Sequence, residues 1–355
     1  MKQIAFFAVL SFLVLSCSKD SENQTDTKTT SSSYLINTLQ GPIAKPTTGY
    51  GSDGNYTVAS VSFPSPTYTG KNVTIFYPQG ITTPKPTIFY SHPYGGEESE
   101  YNIGLYRFIA KKGYVVVFAP YPTSGTNVTV ESRYDTLWQS FITAAANYPD
   151  IIDTTKVGFM GHSFGGGASF YLSQRAFSEK NWGENGRFLF VMAQWYSYFI
   201  NTQSIDFPSN TKLITQVYDD DVTNDHRMAI DMFKNNNILN SEKDFILIKK
   251  SVLPNYTYTA EHNLPNTQSA YDAYDYYGIY RLLDALIDYS FNGNLVGKNV
   301  ALGNGSAAQV TMPSYNGQAL EPLIVTDNPT PLYPQSKYSF KCYSLANNPR
   351  YTFCN

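Results

Sequence analysis

The chain has 355 residues, 42% of them hydrophobic, and a formal net charge of only −3 at pH 7. That length supplies one large domain with a sizeable core, or one domain and a small appendage. The absence of any basic stripe or charge run argues against nucleic acid and against anionic lipid as partners.

The N-terminus reads as an export signal. Met1-Lys2 is a short positive region, and Ile4–Leu15 is an apolar run too short to span a bilayer comfortably. Val14-Leu15-Ser16-Cys17 resembles a bacterial lipobox, which implies a signal peptide over 1–16 and a lipid on Cys17 as the first mature residue. Residues 17–49 are expected to be a tether, because Ser18–Ser33 is polar and rich in Ser, Thr, Asp and Lys. Ser18-Lys19-Asp20-Ser21-Glu22 resembles the Lys-acidic signal that carries some Gram-negative lipoproteins to the cell surface. The expected location is therefore the outer membrane or cell surface, reached through the lipid anchor. With Cys17 lipidated, Cys342 and Cys354 remain, and an oxidising compartment would let them pair.

From residue 50 the pattern alternates. Strands are predicted over Tyr56–Phe63, Asn72–Tyr77 and Thr87–Ser91, then a helix over Tyr101–Lys112 that stops at Gly113. Tyr114–Ala119 is a continuous apolar run suited to a buried parallel strand. A helix over Glu131–Tyr148, a strand over Lys156–Met160 and a helix over Phe164–Ala176 follow. Strands over Phe188–Ala193 and Lys212–Val217, a helix over Asp225–Asn235, a strand over Asp244–Lys249 and a helix over Tyr271–Tyr289 complete the run. The alternation implies an α/β domain over 50–291, a mostly parallel twisted sheet with helices on both faces and an antiparallel N-terminal edge of two or three strands. Residues 292–355, broken by Gly, Asn and Pro, read as an extension packed on that domain. The 30 tyrosines suit half-buried aromatic positions, or a surface that grips polymeric or aromatic ligands.

Gly161-His162-Ser163-Phe164-Gly165 fits G-x-S-x-G between a predicted strand and a predicted helix, the context a nucleophile elbow requires. Ser163 would then be a nucleophile in need of a base. Only four histidines are available, and the chain order nucleophile, acid, histidine leaves few choices. His92 and His162 come too early, His226 lies too close to the acid loop, and His262 sits in a loop past the next strand. The acid should follow Lys212–Val217, where Asp219, Asp220 and Asp221 stand in a row; Asp220 is the first choice and Asp221 the second. A metal site in that run is disfavoured, because no His or Cys stands at ligand spacing. The two oxyanion donors are expected to be the amides of Phe164 and, from His92-Pro93-Tyr94-Gly95-Gly96, Tyr94, with Gly95 as its alternative.

These residues resemble the α/β-hydrolase superfamily, and within it the cutinase-like polyester hydrolases and dienelactone-hydrolase-type esterases. The elbow with Gly166-Gly167, the oxyanion loop Pro93-Tyr94, the acid run Asp220-Asp221-Val222 and Gln194-Trp195 carry the resemblance, over roughly Lys71–Tyr289. Cys342 and Cys354 resemble that family's C-terminal disulfide. The chain departs from the pattern at Phe164, where Met is usual, and at Asn224, where Pro is common; Phe177–Arg187 and Asn292–Ser339 read as additions. The resemblance implies an α/β-hydrolase fold and a serine esterase acting on a small or polymeric ester, with Trp195 and His162 contacting substrate. It implies no metal or organic cofactor, and a monomer is favoured. A carbohydrate esterase, a peptidase, or a surface lipoprotein that binds without catalysis are the other readings.

Overall fold

The computed structural model describes residues 39–338, 340, 348 and 350–354. The signal sequence, Cys17, most of the expected tether and Cys342 lie outside the described residues.

Eight strands follow in chain order: β1 (Val58–Pro64), β2 (Asn72–Pro78), β3 (Lys85–Ser91), β4 (Val115–Ala119), β5 (Ile152–His162), β6 (Gly186–Met192), β7 (Thr211–Tyr218) and β8 (Lys243–Ile248). Two short hairpins come next, β9 (Ser251–Leu253) with β10 (Tyr256–Tyr258) and β11 (Ser314–Tyr315) with β12 (Gln318–Ala319), then β13 (Ile324–Thr326). The main sheet has nine strands in the order β1-β2-β4-β3-β5-β6-β7-β8-β13. Pairings from β4 through β8 are parallel, whereas β1–β2, β2–β4 and β8–β13 are antiparallel. This is an α/β-hydrolase-like topology. β3 belongs to the parallel part, because a helix crosses over between it and β4.

The period-2 alternation of strand side chains divides the core between the two sheet faces. Ile88 and Tyr90 of β3 face one cluster with α1 (Ile103–Lys111) and α5 (Arg281–Asn292). Phe89 faces the other, with α2 (Val130–Asn147), α3 (Phe164–Lys180) and α4 (His226–Lys234). β4, Val-Val-Val-Phe-Ala, is buried at every position, as a strand covered on both faces must be. Thr129 opens α2 with a capping box: its hydroxyl accepts from the Ser132 amide at 3.1 Å, and Ser132 Oγ accepts from the Thr129 amide at 2.9 Å.

Three features differ from the sequence expectation. Tyr271–Tyr289 is not one α-helix: Tyr274–Tyr280 winds as a wider π-helix before α5 begins. This segment carries four tyrosines, Tyr274, Tyr276, Tyr277 and Tyr280. The C-terminal extension is not only packed on the domain. It places α6 (Leu295–Ala301) against α5, continues through α7 (Ala307–Val310) and supplies β13 to the sheet edge. Residues expected at the end of the tether are fixed to the domain. The Gln40 amide donates to Tyr271 O at 2.7 Å, and the buried Ile43 donates its amide to Tyr258 Oη at 3.2 Å.

Candidate active site

β5 ends at His162, and Ser163 follows with φ 56° and ψ −122°, a backbone conformation that a non-glycine residue rarely adopts. Backbone hydrogen bonds, among them one from the Trp195 amide to its carbonyl at 2.7 Å, hold it there. Its amide donates to Met192 O on β6 at 2.9 Å, and its carbonyl accepts from the Gly167 amide at 3.1 Å. The turn is so tight that only glycine fits beside it: a Cβ on Gly161 would meet Gly165 O at 2.3 Å, and one on Gly165 would meet Ser91 O at 2.0 Å. The second contact presses the elbow onto the end of β3. Phe164 then opens α3, so its amide is among the first N–H groups of the helix, which lack intrahelical acceptors.

His262 bridges Ser163 and an aspartate. Its Nε2 lies 3.0 Å from Ser163 Oγ, and its Nδ1 lies 2.8 Å from Asp221 Oδ2. Asp221 is buried, and its Oδ1 accepts from the amides of Thr223 at 2.8 Å and Asn224 at 3.0 Å. Burial pushes its pKa up, but the His262 hydrogen bond and charge, with the two amides, outweigh that and hold it below the usual value of 3.8. An ionised carboxylate can only accept, so the proton between them sits on His262 Nδ1 and Nε2 is left to accept from the Ser163 hydroxyl.

The aspartate that His262 meets is therefore Asp221, the second choice from the sequence, and not Asp220. The reason is the turn after β7: the Asp221 amide donates back to Tyr218 O at 3.2 Å, which carries its side chain inward. Asp220 instead donates its amide to Ala260 O at 2.9 Å, and its carboxylate pairs with Lys250 at 3.1 Å on the exposed side. Asp219 accepts from Tyr333 Oη at 3.1 Å. The three carboxylates face three different partners. Among the described residues no group of three or more His, Cys, Asp or Glu could hold a metal ion.

His162 is a second correction. It was expected to contact substrate, but its ring is fully buried under that of His262, with ring centroids 4.8 Å apart. Burial, and the neighbouring His262, push its pKa from 6.5 to about 3, so it stays neutral. His226 opens α4, with its ring centroid 6.0 Å from that of Tyr333.

The loop proposed to donate to an oxyanion is braced from beneath. Pro93–Gly96 is a turn closed by Gly96 N–H to Pro93 O at 2.9 Å, with Gly95 at φ 86°. His92, buried and held neutral by burial with its pKa near 4, donates from Nδ1 to Pro93 O at 2.7 Å. Its Nε2 accepts from the Tyr121 amide at 3.0 Å, and the two rings stack at 3.9 Å. Arg133 of α2 lies over the Tyr94 ring at 5.3 Å and over the Phe164 ring at 5.6 Å. Its guanidinium also donates to Pro122 O at 3.0 Å and Thr123 O at 3.1 Å. Glu97 accepts from the Thr123 amide at 2.9 Å and from Tyr68 Oη at 2.6 Å. The sequence reading missed Arg133, Glu97 and this use of His92; a lone arginine in the first turn of a helix, directly after Val130-Glu131-Ser132, carries no motif of its own.

Trp195 sits beside the nucleophile through its backbone: its amide donates to Ser163 O at 2.7 Å. The half-buried indole donates to Tyr198 Oη at 3.3 Å, and the Ser197 hydroxyl ties the loop to Gly167 O at 2.9 Å. Together these residues can form a serine nucleophile with an oriented base, beside a half-exposed aromatic wall. No protein-family model matches the chain, and no curated protein matches it.

Proposed function

We propose that the protein is a serine hydrolase that cleaves carboxylic esters. Ser163 is the nucleophile, His262 the general base, and Asp221 the acid that fixes its tautomer. The observation that carries this reading is His262 bridging Ser163 Oγ at 3.0 Å and Asp221 Oδ2 at 2.8 Å on a strained strand-to-helix turn. His262 Nε2 takes the hydroxyl proton as Ser163 Oγ attacks the ester carbonyl carbon. The carbonyl electron pair moves onto oxygen, where the amides of Phe164 and Tyr94 stabilise it. The intermediate collapses, the alcohol leaves with the proton from His262, and Ser163 holds the acyl group. Water, deprotonated by the same histidine, attacks that acyl-enzyme, and the acid departs with Ser163 restored.

Export, lipid attachment at Cys17, pairing of Cys342 with Cys354, and the cutinase-like or dienelactone-hydrolase-like affinity belong to the same proposal. The elbow, the Ser–Asp–His order and the aromatic Trp195 support that affinity. Ser163→Ala, assayed on nitrophenyl acetate, is expected to lose on the order of 10⁴–10⁶ in kcat while melting as the wild type does. A fluorophosphonate should label Ser163 of the wild type alone. Wild-type turnover in the variant rejects Ser163 as the nucleophile, and a wild type that neither turns over nor takes the label overturns the proposal in favour of binding without catalysis.

A further inference from the structure

Tyr333 and Phe340 of the C-terminal extension reach the acid loop and Trp195. Tyr333 Oη donates to Asp219 O at 3.0 Å, two residues before the aspartate on His262. The Tyr333 amide donates to Tyr338 Oη at 3.0 Å. Phe340 then sets its ring edge against the Trp195 indole, with centroids 5.2 Å apart and an interplanar angle of 67°. Trp195 is the residue whose amide holds Ser163 O.

This strap is held from below by Arg227. Its Nη2 donates to Phe340 O at 2.5 Å, its Nη1 to Gln335 Oε1 at 3.2 Å, and its guanidinium lies 4.1 Å from the Tyr338 ring centre. Asp225 grips the same guanidinium with both oxygens, at 2.9 and 2.6 Å, and both residues are almost fully buried. The Asp225 pair fixes the guanidinium, and a shifted strap would leave its remaining buried N–H groups without the acceptors Phe340 O and Gln335 Oε1. The strap is therefore a defined surface, and Phe340 occupies one edge of an indole whose backbone touches the nucleophile.

We infer that Phe340 is a specificity-determining residue: with Trp195 it forms an aromatic wall that limits the size of the substrate group lodged beside Ser163. The inference rests on the hydrolase reading and goes beyond it by assigning the C-terminal extension a part in substrate choice. An apolar pocket discriminates by roughly one to two orders of magnitude per group that fits or fails to fit. Phe340→Ala is thus expected to raise the octanoate-to-acetate ratio of kcat/KM for nitrophenyl esters about tenfold or more, chiefly through octanoate. Phe340→Trp is expected to lower it. Melting temperatures of both variants report that the strap still folds, and Phe340→Leu supplies an apolar side chain without a ring if the alanine variant does not. A ratio within twofold of wild type in the folded variants overturns this inference alone. A wild type that neither hydrolyses the acetate nor takes up a phosphonate at Ser163 overturns the hydrolase reading, and this inference with it.

Discussion

Asp221 and Asp220 are neighbours in the chain that turn to opposite partners, one to a half-buried histidine and one to an exposed lysine. Under the hydrolase reading, Asp221→Asn is expected to cut kcat by roughly 10³–10⁴, because an amide can present its NH₂ to Nδ1 and favour the wrong tautomer. Asp220→Asn should stay within about twofold, since exposed pairs such as Asp220–Lys250 contribute little. Equal losses in both variants would reject the assignment. The pH dependence follows from the depressed Asp221 pKa. A depressed carboxylate contributes stability above its unfolded value, near 3.8, and that contribution is lost only as pH falls through the lower folded value. Titration of Asp221 is therefore not expected to set the acid limb of a pH–rate profile measured above pH 5. Ser163 was legible from its motif and His262 by elimination among four histidines. The aspartate was not, because three stand in a row and the choice rests on which amide folds back to Tyr218 O.

At the level of elements, the elbow and the Pro93–Gly96 loop, the proposed source of an oxyanion donor, are separate pieces of chain brought together by α2. Arg133 reaches from that helix to Tyr94, Phe164 and the carbonyls of Pro122 and Thr123, while Glu97 ties the same loop to Thr123. Arg133 acts through the residues it positions. Its removal should therefore lower kcat about tenfold with KM within about threefold, since misplaced oxyanion donors weaken the transition state more than the bound substrate. Arg133→Lys should not rescue, because an ammonium cannot lie flat between two rings while donating to two carbonyls. A variant whose KM rises while kcat holds would place Arg133 in substrate binding instead. Most elements were legible because their apolar periods are unmixed, as in the Val-Val-Val run of β4 and the alternating faces of β3. The β9–β10 hairpin before His262 was not, because strands of three residues, half exposed and rich in tyrosine, carry too short a period to read. The π-helix was hidden because Tyr274, Tyr276, Tyr277 and Tyr280 fit a helical reading that does not tell a wide turn from an α-helical one.

Across the domain, the extension and the sheet are joined where a carboxylate has been taken out of water. Asp244 on β8 is almost fully buried, and its Oδ2 accepts from Gln309 Nε2 of α7 at 2.7 Å and from the Asn304 amide at 3.1 Å. Gln309 also donates to Ala301 O at 2.8 Å and accepts from the Gly305 amide at 2.8 Å, so one glutamine closes the loop between α6 and α7 onto the sheet. Burial raises the Asp244 pKa from 3.8 to about 6, and the two donors only partly offset it. A raised carboxyl binds a proton in the folded chain that the unfolded chain has already lost, so stability falls as pH rises from about 4 to about 6 and levels off above that. Asp244→Asn keeps an oxygen acceptor for both donors and removes the charge. It is expected to match the wild type near pH 4 and to gain on it through the same window, reaching a stabilisation of about 1–3 kcal/mol at pH 7, since each pKa unit corresponds to about 1.4 kcal/mol. Urea unfolding of both proteins at several pH values checks this. A stability difference that is flat with pH would mean that Asp244 stays ionised throughout, and one that grows toward acid would reverse the sign of its role at the junction.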